Sequence, residues 1–183
     1  MDSLGRLAAE LSISERTLRR AAREGLVRGE RISPRRFRTT LREENYLRTS
    51  WPLLRALRDA LRTEPNLQLA VLFGSAAAGS FDEHSDLDIL VAAADPSVGR
   101  LADATERLSR RLGRDVQLVR LADAEASPVL MDEVIKHGRV LVDRSRRWPA
   151  ISDAAPTWRR RAQRTENLRA ARVLEAELRR RGS

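Results

Sequence analysis

The residues with the clearest chemical potential lie in two short segments near the middle of the chain. Gly74 and Ser75 follow an apolar run, and ten residues separate Ser75 from Asp86, with Asp88 two positions later. If the second segment is a β-strand, Asp86 and Asp88 lie on the same face of it. Two neighbouring carboxylates repel each other, and a hard divalent cation such as Mg²⁺ or Mn²⁺ removes that repulsion. The spacing therefore predicts a metal site at Asp86 and Asp88.

Gly74 and Ser75 have properties that suit phosphate binding. A glycine lets the backbone approach a phosphate without a side chain in the way. Ser75 offers a hydroxyl and an amide at a predicted helix N-terminus, where the helix dipole favours anions. Phosphate donors next to a carboxylate pair make a place for a metal–triphosphate, in which catalysis consists of charge neutralisation and positioning. We therefore predict that Gly74 and Ser75 bind a nucleotide.

The elements that must position these residues follow from the hydrophobic pattern. A buried strand is predicted first, and Gly74 begins a short helix. The predicted strands are 67–73, 85–93, 116–121 and 139–142, and the longer helices between them are 97–112 and 128–137.

This order of elements and the pattern Gly-Ser, ten residues, Asp-x-Asp resemble the minimal nucleotidyltransferases of the DNA polymerase beta-like superfamily. The resemblance covers residues 67–143. It implies an α/β protein with the α+β nucleotidyltransferase fold, a mixed sheet flanked by helices. It also implies ATP or another nucleoside triphosphate as substrate, with Asp86 and Asp88 as catalytic, Mg²⁺-binding residues.

Two positions depart from that family. The family usually has a third carboxylate on the later strand, where this chain has Gln117, and glutamine cannot act as a general base. Asp115 lies two residues earlier and is either a catalytic substitute or a turn residue after Gly113. The family also often carries an arginine before the glycine that follows the motif, whereas this chain has alanines at 76–78. Both departures weaken catalysis more than nucleotide binding.

The first 40 residues predict a helix-turn-helix module. Ser14 suits an N-cap, a second helix is expected over 15–24, and Gly25 suits the position after the helix end. Two short helices with arginines on the second resemble DNA-binding helix-turn-helix proteins. The alternative is a helical cap that packs on the next domain. If the module binds DNA, the contacting residues are expected to be Arg16, Thr17, Arg19, Arg20 and Arg23.

The remaining segments connect or extend these modules. Residues 26–40 are basic and predict a hairpin-like or irregular extension. Residues 41–66 predict a helical linker, in which Ser50 and Pro52 indicate a kink or the start of a new helix. Residues 144–183 predict a basic tail with an amphipathic C-terminal helix from about Thr157 to Arg181, packed on the body or on a partner.

Composition narrows the class of protein. The net charge of +9 is uneven, since residues 1–65 and 144–183 carry +6 and +8 while residues 66–143 carry −5. Basic flanks favour polyanions such as DNA or RNA, although an arginine-rich solvated surface gives the same charge. The chain has no cysteine, which excludes thiolate metal sites. Its only histidines are His84 and His137. No apolar run suits a membrane span or signal peptide, so a cytoplasmic location is expected.

These observations support three functions. The first is an Mg²⁺-dependent nucleotidyltransferase that transfers a nucleoside monophosphate, AMP above all, to a macromolecular acceptor such as RNA or protein. Minimal members of the family often act as antitoxins that adenylylate a HEPN-type toxin. The second is a DNA-binding transcriptional regulator whose weakened nucleotidyltransferase domain senses nucleotide. The third is an interaction module that acts through its basic tail. A homo-oligomer is compatible with each of them.

Overall fold

The computed structural model describes residues 3–33, 36–82 and 85–181, so His84 lies outside the described residues. The helices are α1 (Ser3–Glu10), α2 (Glu15–Arg23), α3 (Leu41–Arg62), α4 (Gly74–Ala78), α5 (Val98–Leu112), α6 (Leu121–Glu125), α7 (Pro128–His137), α8 (Trp148–Asp153) and α9 (Ala155–Arg181). The strands are β1 (Glu30–Ser33), β2 (Arg36–Arg38), β3 (Leu67–Leu72), β4 (Leu87–Ala93), β5 (Val116–Arg120) and β6 (Arg139–Asp143).

The first two helices begin and end close to the predicted positions. The Ser14 side chain accepts a hydrogen bond from the Thr17 amide at 3.1 Å, which satisfies a free donor of the first turn of α2. The helix ends at Arg23, one residue earlier than predicted, because Glu24 is its C-cap and Gly25 adopts a φ of +84°. Leu18 lies on the inner face of α2 and is fully buried. Within the segment 26–40, β1 pairs with β2 in an antiparallel arrangement, and we call this pair the β1–β2 hairpin.

The predicted linker is one continuous helix. Thr40 caps α3 by accepting from the Glu43 amide at 3.2 Å. Pro52 lies inside the helix, and no second helix begins there, contrary to one of the two predicted outcomes. Proline removes one helical hydrogen bond, but the apolar face holds the helix together because Trp51, Leu54 and Leu57 are buried on either side of that gap.

The main sheet has the strand order β5-β4-β3-β6. Strand β3 is antiparallel to both neighbours, whereas β4 and β5 are parallel, so the sheet is mixed as predicted. Strand β4 begins at Leu87 rather than at residue 85. The Leu87 amide donates to the Asp115 carbonyl at 2.9 Å, while the Ser85 hydroxyl turns back to Asp82 at 2.8 Å, so Asp86 lies in the loop just before the strand.

Each face of the sheet packs against a different group of helices. Leu87, Ile89 and Val91 join the apolar cluster that includes residues of α1, α2, α3 and α5. Leu90 and Ala92 join the cluster formed with α6, α7 and the C-terminal helices. Because side chains alternate along a strand, Asp88 lies on the second face.

The segment after β5 and the C-terminal region differ from expectation. Strand β5 ends at Arg120, because the short helix α6 starts at Leu121 and Arg120 forms two hydrogen bonds with Asp123, at 2.6 and 2.8 Å. Helix α8 was not predicted, and α9 starts at Ala155, two residues earlier than expected. Helix α9 packs against α7.

Burial along α9 decreases from its first turns to residue 173. Ala162 is buried, but Leu168 of the predicted apolar stripe is 57% exposed and Val173 is 60% exposed. No described helix is both long enough and apolar enough to span a membrane.

Candidate nucleotide-binding site

Gly74 lies directly against the carboxylate of Asp88. A Cβ atom built at Gly74 would stand 2.6 Å from Oδ2 of Asp88, which is closer than non-bonded atoms approach. Gly74 also has a φ of +67°, a conformation that favours glycine. The Phe73 amide donates to the Asp88 carbonyl at 3.0 Å, which ties the two segments together. The structure therefore brings together the glycine and aspartate that the sequence motif connects across 13 intervening positions.

Asp88 is surrounded by negative charge. Its side chain is half-buried, whereas that of Asp86 is exposed. Burial raises the pKa of Asp88 above its ordinary value, and the charges of Asp86 and of Glu133 on α7 raise it further. Glu133 was not identified from the sequence, because its distance from Asp88 depends on how α7 packs on the sheet. This local excess of negative charge is what a bound cation would relieve.

Gln117, which stands where the family has its third carboxylate, and Asp115, the predicted substitute, both lie at β5 or just before it. Gln117 is the direct partner of Asp88 in the parallel pairing of β4 and β5, so it lies beside the aspartate on the same face. Asp115 precedes β5, is exposed, and holds Leu87 through its backbone carbonyl. Within residues 3–33, 36–82 and 85–181, no three acidic or histidine side chains form a metal-holding group.

Arg114 fixes the loop that leads into Asp86. Its guanidinium donates to the backbone carbonyls of Asp82 and Ser85, the latter at 2.9 Å, and lies 5.4 Å from the centre of the Phe81 ring. Arg114 therefore helps to position Asp86 through the backbone of the residues that precede it.

Two of the three alanines at 76–78 are buried. An arginine at Ala76 or Ala77 would not fit without repacking α4, whereas Ala78, directly before Gly79, is half-buried. The Tyr46 hydroxyl donates to the Ala76 carbonyl at 3.0 Å, and Nε of Arg139 donates to the Ala77 carbonyl at 2.9 Å. Helix α4 is thus anchored from below. Ser75, at its first turn, is half-buried.

The carboxylate pair suits a hard divalent cation. Oxygen donors of this kind are preferred by Mg²⁺ and Mn²⁺, and burial together with the charge of Asp86 raises the pKa of Asp88. The Asp88 carboxylate packs directly on the backbone of Gly74, with no other side chain between them. The residues present therefore fit a metal-bound phosphate group.

The predicted DNA-contacting residues lie along α2. Arg16, Thr17, Arg20 and Arg23 are exposed, and Arg19 is half-buried. Arg19 pairs with Glu15 at 2.6 Å and Arg20 with Glu24 at 3.6 Å. A groove runs between α2 and the β1–β2 hairpin, and its arginine side chains come from both elements. They are Arg19, Arg23, Arg31 and Arg36.

Known proteins resemble part of this chain. A protein adenylyltransferase, MntA of Shewanella oneidensis, is 38% identical over 91 residues, which are 49% of this chain and 61% of that protein. The chain thus spans less than two thirds of the relative's length.

Solved structures show the same fold. One is a toxin–antitoxin structure with AMP-PNP, whose matched chain is 28% identical with a TM-score of 0.54, covering 66% of this chain and 98% of the other. Another is the toxin–antitoxin complex MntA–HepT, 26% identical with a TM-score of 0.51, covering 68% and 98%. The polymerase beta nucleotidyltransferase model matches residues 55–147, from the middle of α3 to just beyond β6. The chain belongs to the polymerase beta nucleotidyltransferase family.

Proposed function

We propose that this protein transfers a nucleoside monophosphate, AMP above all, from a nucleoside triphosphate to a hydroxyl group of a protein acceptor of the HEPN toxin class. The observation that carries the proposal is the contact between Gly74 and the carboxylate of Asp88, next to the exposed Asp86. That arrangement places a glycine backbone, free of a side chain of its own, beside two carboxylates that lack a cation partner among the described residues. It is the combination that a metal–triphosphate requires.

Each residue of the motif has a distinct role in the proposed reaction. Gly74 and Ser75 bind the triphosphate, since the glycine leaves room for the phosphates and the serine supplies a hydroxyl and an amide. Asp86 and Asp88 hold the divalent cation. When bound, this cation neutralises phosphate charge and orients the leaving group. Arg114 and the Gly74–Asp88 contact hold the two halves of the site in register.

The reaction exchanges one phosphorus–oxygen bond for another. The acceptor oxygen forms a bond to the α-phosphorus while the bond from that phosphorus to the bridging oxygen breaks, so pyrophosphate leaves. The hydroxyl proton goes to a base, and Gln117 cannot take it. Asp115 and Glu133 are carboxylates near this end of β4, and Asp115 is our candidate for the base.

The choice of acceptor and nucleotide rests on the relatives. The relative with 38% identity is named a protein adenylyltransferase, which supports AMP as the transferred group and a protein as its acceptor. The similar solved structures are toxin–antitoxin structures, one of them with AMP-PNP. These names support the antitoxin subtype for this chain, with RNA as the other macromolecular acceptor to be tested.

A labelling experiment tests the proposal. The protein is incubated with each α-³²P-labelled nucleoside triphosphate and Mg²⁺, together with a bacterial lysate that contains both protein and RNA. We expect a labelled protein band with ATP, no band with the Asp86→Ala/Asp88→Ala variant, and an unchanged band with Asp103→Ala, an exposed acidic residue on α5. Label in RNA alone would reject the protein acceptor, and label that persists in the double variant would reject the site.

A second set of variants separates the candidate bases. Replacing Asp115 with Asn or Glu133 with Gln removes one carboxylate without changing the size of the side chain. Loss of a general base costs about 10²- to 10⁴-fold in rate. We expect that loss for Asp115→Asn and a smaller one for Glu133→Gln, and the reverse order would transfer the role to Glu133.

We also propose a second function, DNA binding by the N-terminal module, which would make the protein a nucleotide-sensing transcriptional regulator if transfer fails. The specific support is the groove between α2 and the hairpin, where both elements contribute arginines. Arginine contacts with phosphates give affinity, and contacts with base edges give specificity.

A gel-shift titration tests DNA binding. We expect the Arg19→Ala/Arg23→Ala variant, which loses two arginines of this groove, to bind the operator of its own gene at least about tenfold more weakly. An Arg159→Ala/Arg160→Ala variant, with the same loss of charge on α9, is the control. Equal weakening on random DNA would limit these arginines to phosphate contacts, and no binding by the unaltered protein would reject this second function.

A further inference from the structure

A cleft of about 470 Å³ lies at the junction of three parts of the chain. Its walls come from the end of α2 and the hairpin that follows, from the start of α3, and from the turn between α7 and β6. They also include Trp148 at the start of α8. Gly74, Ser75, Asp86 and Asp88 do not line this cleft. It is therefore separate from the proposed triphosphate site.

Positive charge dominates the walls of the cleft. Arg28, Arg42, Lys136 and Arg139 line it, and Glu43 is the carboxylate among the lining residues. Glu43 is already fully engaged. It accepts from both terminal nitrogens of Arg139, at 2.6 and 2.9 Å, and from the Arg28 amide at 2.9 Å.

The other three cations have no carboxylate partner within 4 Å in the described part of the chain. The Arg28 guanidinium instead donates to the Lys136 carbonyl at 3.0 Å. Burial lowers the pKa of Arg28, and the charge of Arg139 lowers it further. His137 lies 3.5 Å from Arg28, and burial together with that charge lowers its pKa. Arg42 and Lys136 stand exposed at the rim. An anion bound in the cleft would compensate this excess charge.

Aromatic rings supply a second kind of surface in the same cleft. Phe37 of the hairpin and Trp148 of α8 line it and are half-buried. The ring of Tyr46 is covered by the Arg139 guanidinium at 3.5 Å, so it is not available for stacking. Half-exposed aromatic faces beside arginines suit a planar, electron-rich ring attached to a phosphate.

The support beneath the cleft is rigid. Arg139 is 2% exposed, and its guanidinium is held by Glu43 and by the carbonyls of Ala77 and Leu26, at 2.9 and 3.3 Å. A residue fixed in this way does not have to be ordered when a ligand arrives, so the site is organised in advance.

We propose that the cleft binds a mononucleotide, with its phosphate between Arg28, Arg42 and Lys136 and its base against Trp148 and Phe37. The volume lies within the range of about 300–1,000 Å³ that is usual for small-molecule sites. Phosphate alone would use only the cationic part, and a nucleoside only the aromatic part. The proposal does not depend on the transfer reaction at Asp88.

Equilibrium dialysis of the full chain with AMP in the presence of EDTA tests the proposal, because removing divalent cations silences the metal-dependent site. We expect saturable binding of one AMP per chain. The Arg42→Ala/Lys136→Ala variant should bind at least about tenfold more weakly, since it loses two charge-assisted contacts. Both residues are exposed at the rim, so the fold is expected to persist. Trp148→Leu should also weaken binding of AMP.

Three controls make the result decisive. Asp86→Ala/Asp88→Ala and Arg159→Ala/Arg160→Ala should bind AMP as the unaltered chain does. Inorganic phosphate and adenosine should each bind more weakly than AMP. The proposal is overturned if AMP does not bind up to millimolar concentration, if the aspartate variant alone loses binding, or if phosphate binds as tightly as AMP. It is also overturned if the rim variant loses affinity for an oligonucleotide but keeps its affinity for AMP.

Discussion

Glu43 and Asp88 are both carboxylates near α4 that are at least partly buried, but the charges around them have opposite signs. Glu43 is 5% exposed and accepts three hydrogen bonds from the Arg139 side chain and the Arg28 amide. Asp88 is half-buried, and the nearby charges that act on it come from Asp86 and Glu133, both negative. A compensated carboxylate stabilises the fold, whereas an uncompensated one is held at a cost by the rest of the structure. Such a cost is typical of groups that bind a ligand, and it supports the proposed role of Asp88.

Among the changes that test this comparison, neutralising Glu43 should have the largest effect on the free energy of unfolding. We expect Glu43→Gln to lower the free energy of unfolding by about 3 kcal/mol, because it leaves the Arg139 charge buried without a partner. Urea denaturation followed by circular dichroism measures this. The control is Glu30→Gln, whose ion pair with Arg38 is exposed on the hairpin and should cost less than about 1 kcal/mol. Equal losses in both variants would remove the contrast.

The support of α4 is tested by a change at its C-terminal end. Gly79 has a φ of +82°, and a Cβ atom there would stand 2.9 Å from the Tyr46 ring. We expect Gly79→Ala to destabilise the protein by about 2 kcal/mol through both effects. Gly99→Ala is the matched control, since a Cβ there meets nothing within 4 Å and it lies in a helix. A similar loss in both variants would mean that the Tyr46 contact is not needed.

Divalent cations should stabilise the Asp88 region but not the Glu43 region. Because a ligand that binds only the native state stabilises it, Mg²⁺ at ten times its Kd should add about 1.4 kcal/mol to the free energy of unfolding. Thermal unfolding with Mg²⁺ and with EDTA measures the difference. We expect the shift to disappear in Asp86→Ala/Asp88→Ala and to persist in Asp103→Ala. A shift that survives in the double variant would place the cation elsewhere.

The smallest expected change in the free energy of unfolding is that of Asp88→Asn, and its sign is opposite to that of Glu43→Gln. In EDTA, Asp88→Asn should leave stability unchanged or raise it by up to about 1 kcal/mol, because it removes repulsion from Asp86 and Glu133. The raised pKa of Asp88 implies that the native state binds its proton more readily than the unfolded chain does. In EDTA, the contribution of this group to stability therefore falls as pH rises from the ordinary aspartate pKa to the raised one. Comparison of urea midpoints for the two proteins across this range checks the direction.

Much of the candidate site could be predicted from local patterns alone. The spacing from Gly74 to Asp88, the alternation of Leu87, Ile89 and Val91, and the cap at Ser14 all depend on residues close together in the chain. Strand and helix periodicities act over a few residues, so they are visible without a fold. The predicted start of β4 at Ser85 was wrong by two residues. A turn and an inter-strand hydrogen bond begin the strand at Leu87.

The sequence by itself determined the family, the order of the main elements, and the residues that form the Gly74–Asp88 motif. Only the tertiary structure decided which charges meet. Arg139 pairs with Glu43 across 96 positions, Glu133 acts on Asp88 from another element, and the basic cleft unites segments from both halves of the chain. The physical reason is that helix and strand formation is governed by near neighbours, whereas charge compensation depends on distances that exist only after the helices have packed on the sheet.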